Sequence, residues 1–485
     1  MVPADPGGGV MRADLLTEDI EGLDEALAAV DAFDRVLVEG LLRPGAAQAA
    51  GTAALAQAVS GTPLAARVAE AAERAAGGAG GEDDFVALAA ARSALLGSVH
   101  DALIARVDAA TGRDGAREGE GEEAVDRSGS DVVPVANVPA AARSWLADLA
   151  RTGWRGLDHE AVSAAAPVIS ALLAEPPLRR LAALLDGFAN ELAASCPGAT
   201  LEEFPVRRWA DLWTRALLLT VPGAAAPAAT QVVTGRLLPL GVDLQEHATA
   251  VQAQVHAVFE PADGSPSRLV RASVSAPKPD TVVGAGLWQL LRPHLSLLTA
   301  AGDGRSMDLT DMPVTAEGDL LWDDARARTG EPADPLTTAR IALPTATAPR
   351  TAPLDRHPAR LAVPVFLEGY GAETDSDGDA GGDALEFVVA GQRLGVDLDR
   401  IPTAGPLTPK AVAASRACIG LLRWDAGEFR LQPLAVETAV RKKPVGVHAG
   451  AWAGGTADKA GAKAEKAATD AAAVLRERAG RLLRK

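Results

Sequence analysis

The 485-residue sequence predicts an α+β fold, with an all-helical N-terminal half, then a mainly antiparallel β-rich domain, then a basic C-terminal helix or tail. Two changes in the residue pattern predict this order. Up to about residue 222 the apolar residues recur three or four positions apart, and beyond it they alternate with polar residues, as in half-buried strands. From residue 441 the chain becomes rich in Ala, Lys and Arg.

The N-terminal helical region is predicted to span residues 1–112. Between Thr17 and Leu42 the apolar residues lie on one helical face, with Thr17 favouring a helix start and Pro44 and Gly45 a stop. Three further Ala-rich helices are predicted at 46–59, 63–76 and 82–110.

An acidic linker is predicted at residues 113–138. This stretch is rich in Gly, Ser and Glu, and its first half offers almost nothing apolar to offset the entropy of ordering. A second helical block is predicted at 139–222, divided by Gly153, Pro176 and Pro197. No repeat of fixed period emerges, so we do not expect a solenoid.

The β-rich α+β domain is predicted at 223–445. From Val251 to Phe259 apolar and polar residues alternate strictly, which is typical of a half-buried strand, and 269–274 is expected to pair with it. Further strands are predicted near 338–343, 361–367 and 385–390, and helices at 283–298 and 409–417.

The strongest hairpin signal is LLRWDAGEFRLQPL, residues 421–434. Its apolar residues alternate in both halves, so Leu422 and Trp424 should face one way and Phe429 and Leu431 should answer them on the second strand. The segment 425–427 suits a three-residue turn in which Gly427 takes the left-handed conformation.

The basic tail is predicted at 446–485, within a basic segment that begins at residue 441. Residues 441–485 hold 11 Lys or Arg and 4 Asp or Glu, a net charge of +7 in a chain of net charge −17, which leaves −24 for the rest. The acidic body disfavours binding to nucleic acid or anionic lipid. Only the tail is therefore a candidate for binding a polyanion or an acidic partner. A mobile solubilising tail is the alternative. The candidate contact residues of the tail are Arg441, Lys442, Lys443, Arg481, Arg484 and Lys485.

Two tryptophans form a candidate partner contact. Trp209 and Trp213 lie four residues apart in PVRRWADLWTRALLLT and therefore share a helical face. Two indoles on one stripe could dock a partner. In a chain with only 4% aromatic residues, the favoured interpretation is that they form the core seam between the helical and β parts.

No catalytic residue, metal ligand or cofactor is predicted. The sequence has no GxxxxGK[ST] P-loop, no GxGxxG after a strand and no GxSxG elbow. Two cysteines, Cys196 and Cys418, are too few for a thiolate zinc site or a disulfide framework and suit a reducing compartment. Without a signal peptide or an uninterrupted apolar span, a cytoplasmic location away from membranes is expected, with Met1 and Met11 both candidate start residues.

Two apparent metal motifs have simpler interpretations. His159-Glu160 lacks a second histidine four residues on, so it is interpreted as a helix N-terminus. Residues 373–383 hold five carboxylates, but the positions of glycine and glutamate do not fit a calcium loop. We expect a solvated acidic loop between two strands.

A dispersed enzyme site is the alternative class of function. Gln252, Gln254 and His256 form a polar row on one strand face, which is predicted to face solvent and could instead line a groove. Asp355 and His357 could pair for base chemistry if the fold supplied a nucleophile. If no pocket brings His256, Asp355 and His357 together, this hypothesis fails.

The segments RRWADLWTRA and LLRWDAGEFRLQPL resemble those of actinobacterial proteins that are encoded beside SWIM zinc-finger proteins, MoxR-type AAA+ ATPases and von Willebrand A proteins. The resemblance covers about residues 139–445. It implies an accessory component of an ATPase and von Willebrand A system, with no catalytic residues to carry over. The chain has no SWIM cysteine set, no Walker motif and no DxSxS metal site, so it would be a partner of those proteins.

The leading functional hypothesis is therefore a non-catalytic cytoplasmic adaptor or accessory protein with a protein partner, for which the resemblance implies a MoxR-type AAA+ ATPase or a von Willebrand A protein. An enzyme with a dispersed site in the β-rich domain is one alternative. Binding of nucleic acid or of an acidic partner through the basic tail is the other.

Overall fold

A computed structural model describes residues 11–113, 137–225, 228–247, 249–279, 282–291, 295–375, 384–441 and 443–455, with residues 462, 463, 466, 469 and 470 of the tail. Nearly all of the predicted acidic linker and most of the basic tail lie outside these residues. The described chain has a helical N-terminal half followed by a β-rich, mostly antiparallel region, as predicted.

Apart from the short α1, which precedes the first predicted helix, the helices of the described N-terminal half overlap the predicted segments. They are α1 (Ala13–Leu16), α2 (Leu23–Glu39), α3 (Ala46–Ala58), α4 (Ala65–Ala76), α5 (Glu82–Thr111), α6 (Asn137–Thr152), α7 (His159–Ser163), α8 (Ala165–Ala174), α9 (Arg179–Ala194) and α10 (Val206–Leu219). Helix α2 begins at Leu23 rather than at Thr17, because Gly22 takes a left-handed conformation, φ 79°, that interrupts the helical path.

Helices α2 to α10 contribute to one hydrophobic core, so the helical blocks on either side of the acidic linker pack together. The blocks approach closely at Gly40 and Gly153, where a Cβ on Gly153 would lie 2.4 Å from the Gly40 nitrogen. The long helix α5 continues beyond this core. Its C-terminal half packs through Val99, Leu103 and other apolar residues against the second β-barrel described below.

The first β-barrel is formed by β1 (Thr230–Glu246), β2 (Ala250–Pro261), β3 (Arg268–Pro277), β4 (Arg305–Thr315) and β5 (Asp319–Leu320), with β6 (Ala327–Pro332) added beside β4. The strands pair in the order 1-2-3-5-4, and β4 pairs again with β1, which closes the barrel. Only β3 and β5 pair in parallel. Helices α11 (Leu287–Leu290) and α12 (Leu295–Gly302) lie between β3 and β4. This is the topology of the OB-fold.

The second barrel repeats this topology. Its strands are β7 (Val363–Glu368), β8 (Gly371–Asp375), β9 (Ala384–Val389), β10 (Gln392–Val396), β11 (Ala417–Asp425) and β12 (Glu428–Val440), with β13 (Lys443–His448) beside β12. Strands β7 and β8 act as two halves of one bent strand, since β7 pairs with β11 and β8 with β9. Strands β10 and β12 pair in parallel, and α14 (Pro409–Ala413) lies between β10 and β11. The β-rich region is thus a tandem of OB-type barrels.

One predicted strand is a helix. Residues 338–343 fall in and just after α13 (Pro335–Ile341). The Asp334 carboxylate accepts the Thr337 backbone N–H and Pro335 occupies the first turn, so the segment starts as a capped helix that buries Leu336 and Ala339 on one face.

The predicted hairpin forms with a shorter turn. Trp424 pairs with Phe429, and the turn is Ala426-Gly427, with φ of 51° and 90°, rather than three residues. Two consecutive positive φ values match the right-handed twist of the strands, and Gly427 is left-handed as expected. Strand β13 crosses the boundary predicted after residue 445.

The two barrels meet through the outer faces of β1 and β12. A separate cluster of buried apolar residues joins them, including Leu240, Val258 and Ala435. Gly241 is required here, because a Cβ at this position would lie 2.8 Å from the Leu434 Cβ. A rigid contact therefore fixes the barrels next to the cavity described below.

Candidate functional site

A cavity of about 1040 Å³ lies between the two barrels. One wall is the outer face of β1, β2 and β3, and the opposite wall carries Arg423 and Gln432 of the β11–β12 hairpin. His100 and Ile104 of α5, residues 359–364 and residues 399–403 also line it, together with Asp319 and Asp355. This volume is at the upper end of the range for ligand sites, about 300–1,000 Å³.

Strand alternation places the polar row of β2 in this cavity. Val255 and Ala257 point into the barrel core, so Gln252, Gln254 and His256 point outward and line the cavity. The sequence-based prediction of a solvent-facing row is wrong for His256, which is buried against the second barrel, and the groove-lining alternative is correct.

A buried hydrogen-bond network crosses from one barrel to the other. The Asp243 carboxylate of β1 accepts hydrogen bonds from Arg423 Nη2 at 2.9 Å, Gln432 Nε2 at 2.8 Å and Gln245 Nε2 at 2.9 Å. Arg423 Nε also donates to the Gln432 amide oxygen. Because Asp243 is only 3% exposed, this shared set of donors compensates its charge and fixes the wall of the cavity.

A second ion pair lies one strand away. Arg271 of β3 and Asp319 of β5 are register partners, and the guanidinium contacts both carboxylate oxygens, with Arg271 Nη2 at 3.0 Å from Asp319 Oδ2. Two parallel N–H···O bonds hold both side chains in a defined plane.

His256 is the unsatisfied group of the cavity. Its side chain is buried, and its Nε2 has no hydrogen-bond partner among the described residues. Burial lowers the pKa of His256 to about 4; the nearby Asp243 and Asp319 oppose this shift, while Arg271 and Arg423 add to it. The imidazole is therefore neutral near pH 7 and can donate one hydrogen bond and accept one.

Several charges around the cavity are already paired within the protein. Besides the pairs above, Glu246 contacts Lys278 at 3.1 Å, and Asp355 contacts Arg215 at 2.7 Å. Among the described lining residues there is no Phe, Tyr or Trp ring on which a base or sugar could stack. The lining favours an uncharged ligand with many hydrogen-bonding groups.

One strand edge beside the cavity is open. Strand β3 pairs with β2 along its whole length, but with β5 only at Arg271 and Ala272. Residues 273–277 continue beyond that pairing, and no described strand pairs with their second edge. Ser273 of this segment lines the cavity and accepts a hydrogen bond from Gln254 Nε2 at 2.9 Å.

Trp209 and Trp213 do not lie on a surface. They are 2% and 0% exposed in the helical core, where Trp154 packs edge-to-face on Trp209, and Trp213 Nε1 donates to the Leu146 carbonyl at 2.9 Å. Their proposed role as partner contacts is therefore corrected. The core interpretation is right, although the core is that of the helices rather than a seam with the barrels.

The basic tail is described only at its start. Arg441 is exposed after β12, and Lys443 is exposed at the first position of β13. Lys442, Arg481, Arg484 and Lys485 lie outside the described residues. Partner binding through the tail stays a prediction.

The dispersed catalytic set does not assemble. His256 and Asp355 line the large cavity, whereas His357 belongs to a different one. His357 Nδ1 accepts a backbone N–H, so its Nε2 carries the proton and donates to Asp211 Oδ1 at 3.1 Å. Asp355 is held by arginines, among them Arg215. His357 and Asp355 therefore form no acid–base pair.

The remaining motifs fit their simpler interpretations where they are described. His159 begins α7, whose first turn is capped by Asp158. Strands β8 and β9 flank the acidic segment, of which residues 376–383 lie outside the described chain. Within the described residues, no group of three or more His, Cys, Asp or Glu is placed to hold a metal, and no helix is long and apolar enough to cross a membrane.

No family model matches the chain, and no curated protein sequence matches it. Among solved structures, the chain is similar to the crystal structure of the tetrameric p202 HIN2, with 9% sequence identity and a TM-score of 0.19, over 46% of this chain and 95% of that chain. At this TM-score the likeness carries no argument, and the OB topology rests on the strand pairings. The resemblance to the actinobacterial proteins stays a prediction.

Proposed function

We propose that this protein is a non-catalytic binding protein whose inter-barrel cavity takes an extended, uncharged segment of a partner protein. The observation that carries this proposal is the neutral, buried His256, whose Nε2 has no partner among the described residues of a large polar cavity. A buried polar atom without a partner costs about 1–3 kcal/mol, and a ligand that hydrogen-bonds to it removes that cost.

A peptide main chain suits the lining. Each peptide unit is neutral and offers one donor and one acceptor, and the cavity presents the amides of Gln252 and Gln254 and the hydroxyl of Ser273. The open edge at residues 273–277 supports strand addition, in which main-chain hydrogen bonds supply affinity and flanking side chains supply specificity.

Nucleic acid is a poorer ligand for the same face. The outer face of strands 2 and 3 binds oligonucleotides in many OB-folds, but that use requires unpaired cations and stacking rings. Here the cavity arginines Arg271 and Arg423 are bound to Asp319 and Asp243, and the described lining has no aromatic ring. Function follows the residues of the face rather than its fold.

The cellular setting is part of the proposal. Cys196 and Cys418 are both free thiols, which supports a reducing, cytoplasmic compartment. An AAA+ ATPase or a von Willebrand A protein is the proposed class of partner. Either would present an extended terminal or loop segment to the cavity.

The proposal is tested with displayed random peptides. The wild-type protein should enrich uncharged, extended sequences, and Gln254→Leu, which removes an amide from the cavity, should bind the enriched peptides about tenfold more weakly. Gln231→Leu is the matched control, because Gln231 is exposed on β1 outside the cavity lining. No enrichment, or equal binding by Gln254→Leu and Gln231→Leu, would contradict the proposal.

A further inference from the structure

A second cavity, of about 280 Å³, lies where the helical half meets the segment that leads into the second barrel. Helices α5 and α10 form one side and residues 354–360 form the other. Its charged lining is unusual for so acidic a protein. Five arginines and one carboxylate, Asp211, face it: Arg92, Arg208, Arg215, Arg356 and Arg360.

Two of these arginines converge on one oxygen atom. Arg215 Nη2 and Arg360 Nη1 donate to the same Asp355 Oδ1, at 2.7 and 2.8 Å, and Arg180 Nη2 lies 3.6 Å from Oδ2. Three guanidinium groups thus share a single carboxylate. Each guanidinium has five N–H donors in a fixed plane, so Arg215 and Arg360 keep donors beyond those that the described carboxylate uses.

The one carboxylate of the lining is itself compensated. Asp211 Oδ1 accepts from Arg92 Nη1 at 2.7 Å and from His357 Nε2 at 3.1 Å. Despite its burial, the hydrogen bond from His357 and the charge of Arg92 keep the pKa of Asp211 below its ordinary value. Behind it, Arg92 is held by both oxygens of the buried Asp34.

A buried hydroxyl in the lining has no partner. Thr214 of α10 is 2% exposed, and its Oγ1 makes no hydrogen bond to any described residue. Threonines inside helices commonly donate to the carbonyl four residues earlier, and Thr214 does not. This second observation is independent of the arginine cluster and indicates a missing acceptor.

We propose that the second cavity binds a phosphoryl group, either as inorganic phosphate or as a small phosphate monoester. Arg215 and Arg360 supply the planar donors that match phosphate oxygens, and Thr214 donates its hydroxyl. Arg356, which pairs with Asp101 at 3.1 Å, contributes only its remaining donors. Burial chiefly, and then the neighbouring Arg215, lower the pKa of Arg360, and the charge of a bound dianion would oppose the effect of Arg215.

Titration calorimetry on the full chain tests this site with two ligands, inorganic phosphate and O-phosphoserine. The wild type should show saturable binding of inorganic phosphate, tighter than about 10 mM. Tighter binding of phosphoserine identifies a monoester site; equal or weaker binding identifies a site for the free anion. Absence of saturable binding of either ligand would overturn the proposal.

Three variants separate binding from folding. Arg360 is half-exposed, and Arg360→Gln should weaken phosphate binding about 10- to 100-fold. Thr214→Val deletes a hydroxyl that has no partner among the described residues and keeps the side-chain shape. It should weaken phosphate binding about 3- to 10-fold without lowering the urea midpoint of unfolding. Arg340→Gln is the charge-matched control, since Arg340 pairs with Glu368 away from the cavity. Equal binding by Arg360→Gln and Arg340→Gln would refute the site, and wild-type affinity in Thr214→Val would refute the role of the hydroxyl.

Discussion

Replacement of His256 by leucine should remove a pH-dependent term from the stability of the first barrel. The pKa of His256 is lowered from 6.5 to about 4 in the folded protein, chiefly by burial. Between these two values the unfolded chain binds a proton that the folded chain does not. The free energy of unfolding therefore falls as the pH drops below about 6.5 and stops falling below about 4.

The size of this term follows from the shift. One pKa unit corresponds to 1.36 kcal/mol, so wild type should lose about 2 kcal/mol through His256 between pH 7.5 and pH 5, and about 3 kcal/mol by pH 4. Leucine has no proton to bind and also removes a buried nitrogen that lacks a partner among the described residues. The variant should thus be destabilised least, relative to wild type, at acid pH.

Urea unfolding at pH 7.5 and pH 5 measures this difference directly. The difference in unfolding free energy between wild type and His256→Leu should change by about 2 kcal/mol between the two pH values. His247→Leu is the control, because His247 is exposed in the turn between β1 and the strand β2 that carries His256, and its difference from wild type should stay nearly constant. Parallel pH profiles for wild type and His256→Leu would refute the reasoning.

Four further substitutions have defined outcomes in urea unfolding at pH 7. Asp34→Ala leaves the Arg92 guanidinium, 2% exposed, without its main counterion and should cost about 3–5 kcal/mol; a loss below 1 kcal/mol would contradict this. Trp213→Ala should cost about 3–5 kcal/mol, as a core residue does and a surface contact does not. Gly153 and Gly112 have similar positive φ values, 75° and 71°, so alanine is strained by a similar amount at both positions. Only at Gly153 would the added Cβ lie 2.4 Å from a backbone atom, so Gly153→Ala should destabilise the protein by about 1–3 kcal/mol more than Gly112→Ala.

The helical half could be predicted because its signals are local. Helices α3, α4 and α5 begin and end within two residues of the predicted segments, since apolar spacing and flanking Gly or Pro define them. Strands β2 and β12 were equally visible from alternation. The strand predicted at residues 338–343 is wrong because four of the six residues, TARIAL, are helix formers and the cap at Asp334 and Pro335 starts a helix just before them.

The site could not be predicted because its members are distant in sequence. Arg423 and Gln432 reach Asp243 from 180 and 189 residues away, and only the packing of one barrel on the other brings them together. A partial signal existed in the hairpin. Once Trp424 and Phe429 are assigned to the inner face, Arg423 and Gln432 must lie on the outer face, where a charged and an amide side chain require partners if buried.

The two cavities show how a net charge of −17 can coexist with local sites of different character. In the large cavity Asp243 and Asp319 neutralise Arg423 and Arg271, so an OB-type face loses the free cations that nucleic acid requires and keeps only neutral hydrogen-bonding groups. In the small cavity Asp211 is the one carboxylate of the described lining, while Asp34 and Asp355 bind its arginines from outside the lining, so arginines outnumber carboxylates there. The position of each counterion, rather than the total charge, therefore determines which ligand each cavity can take.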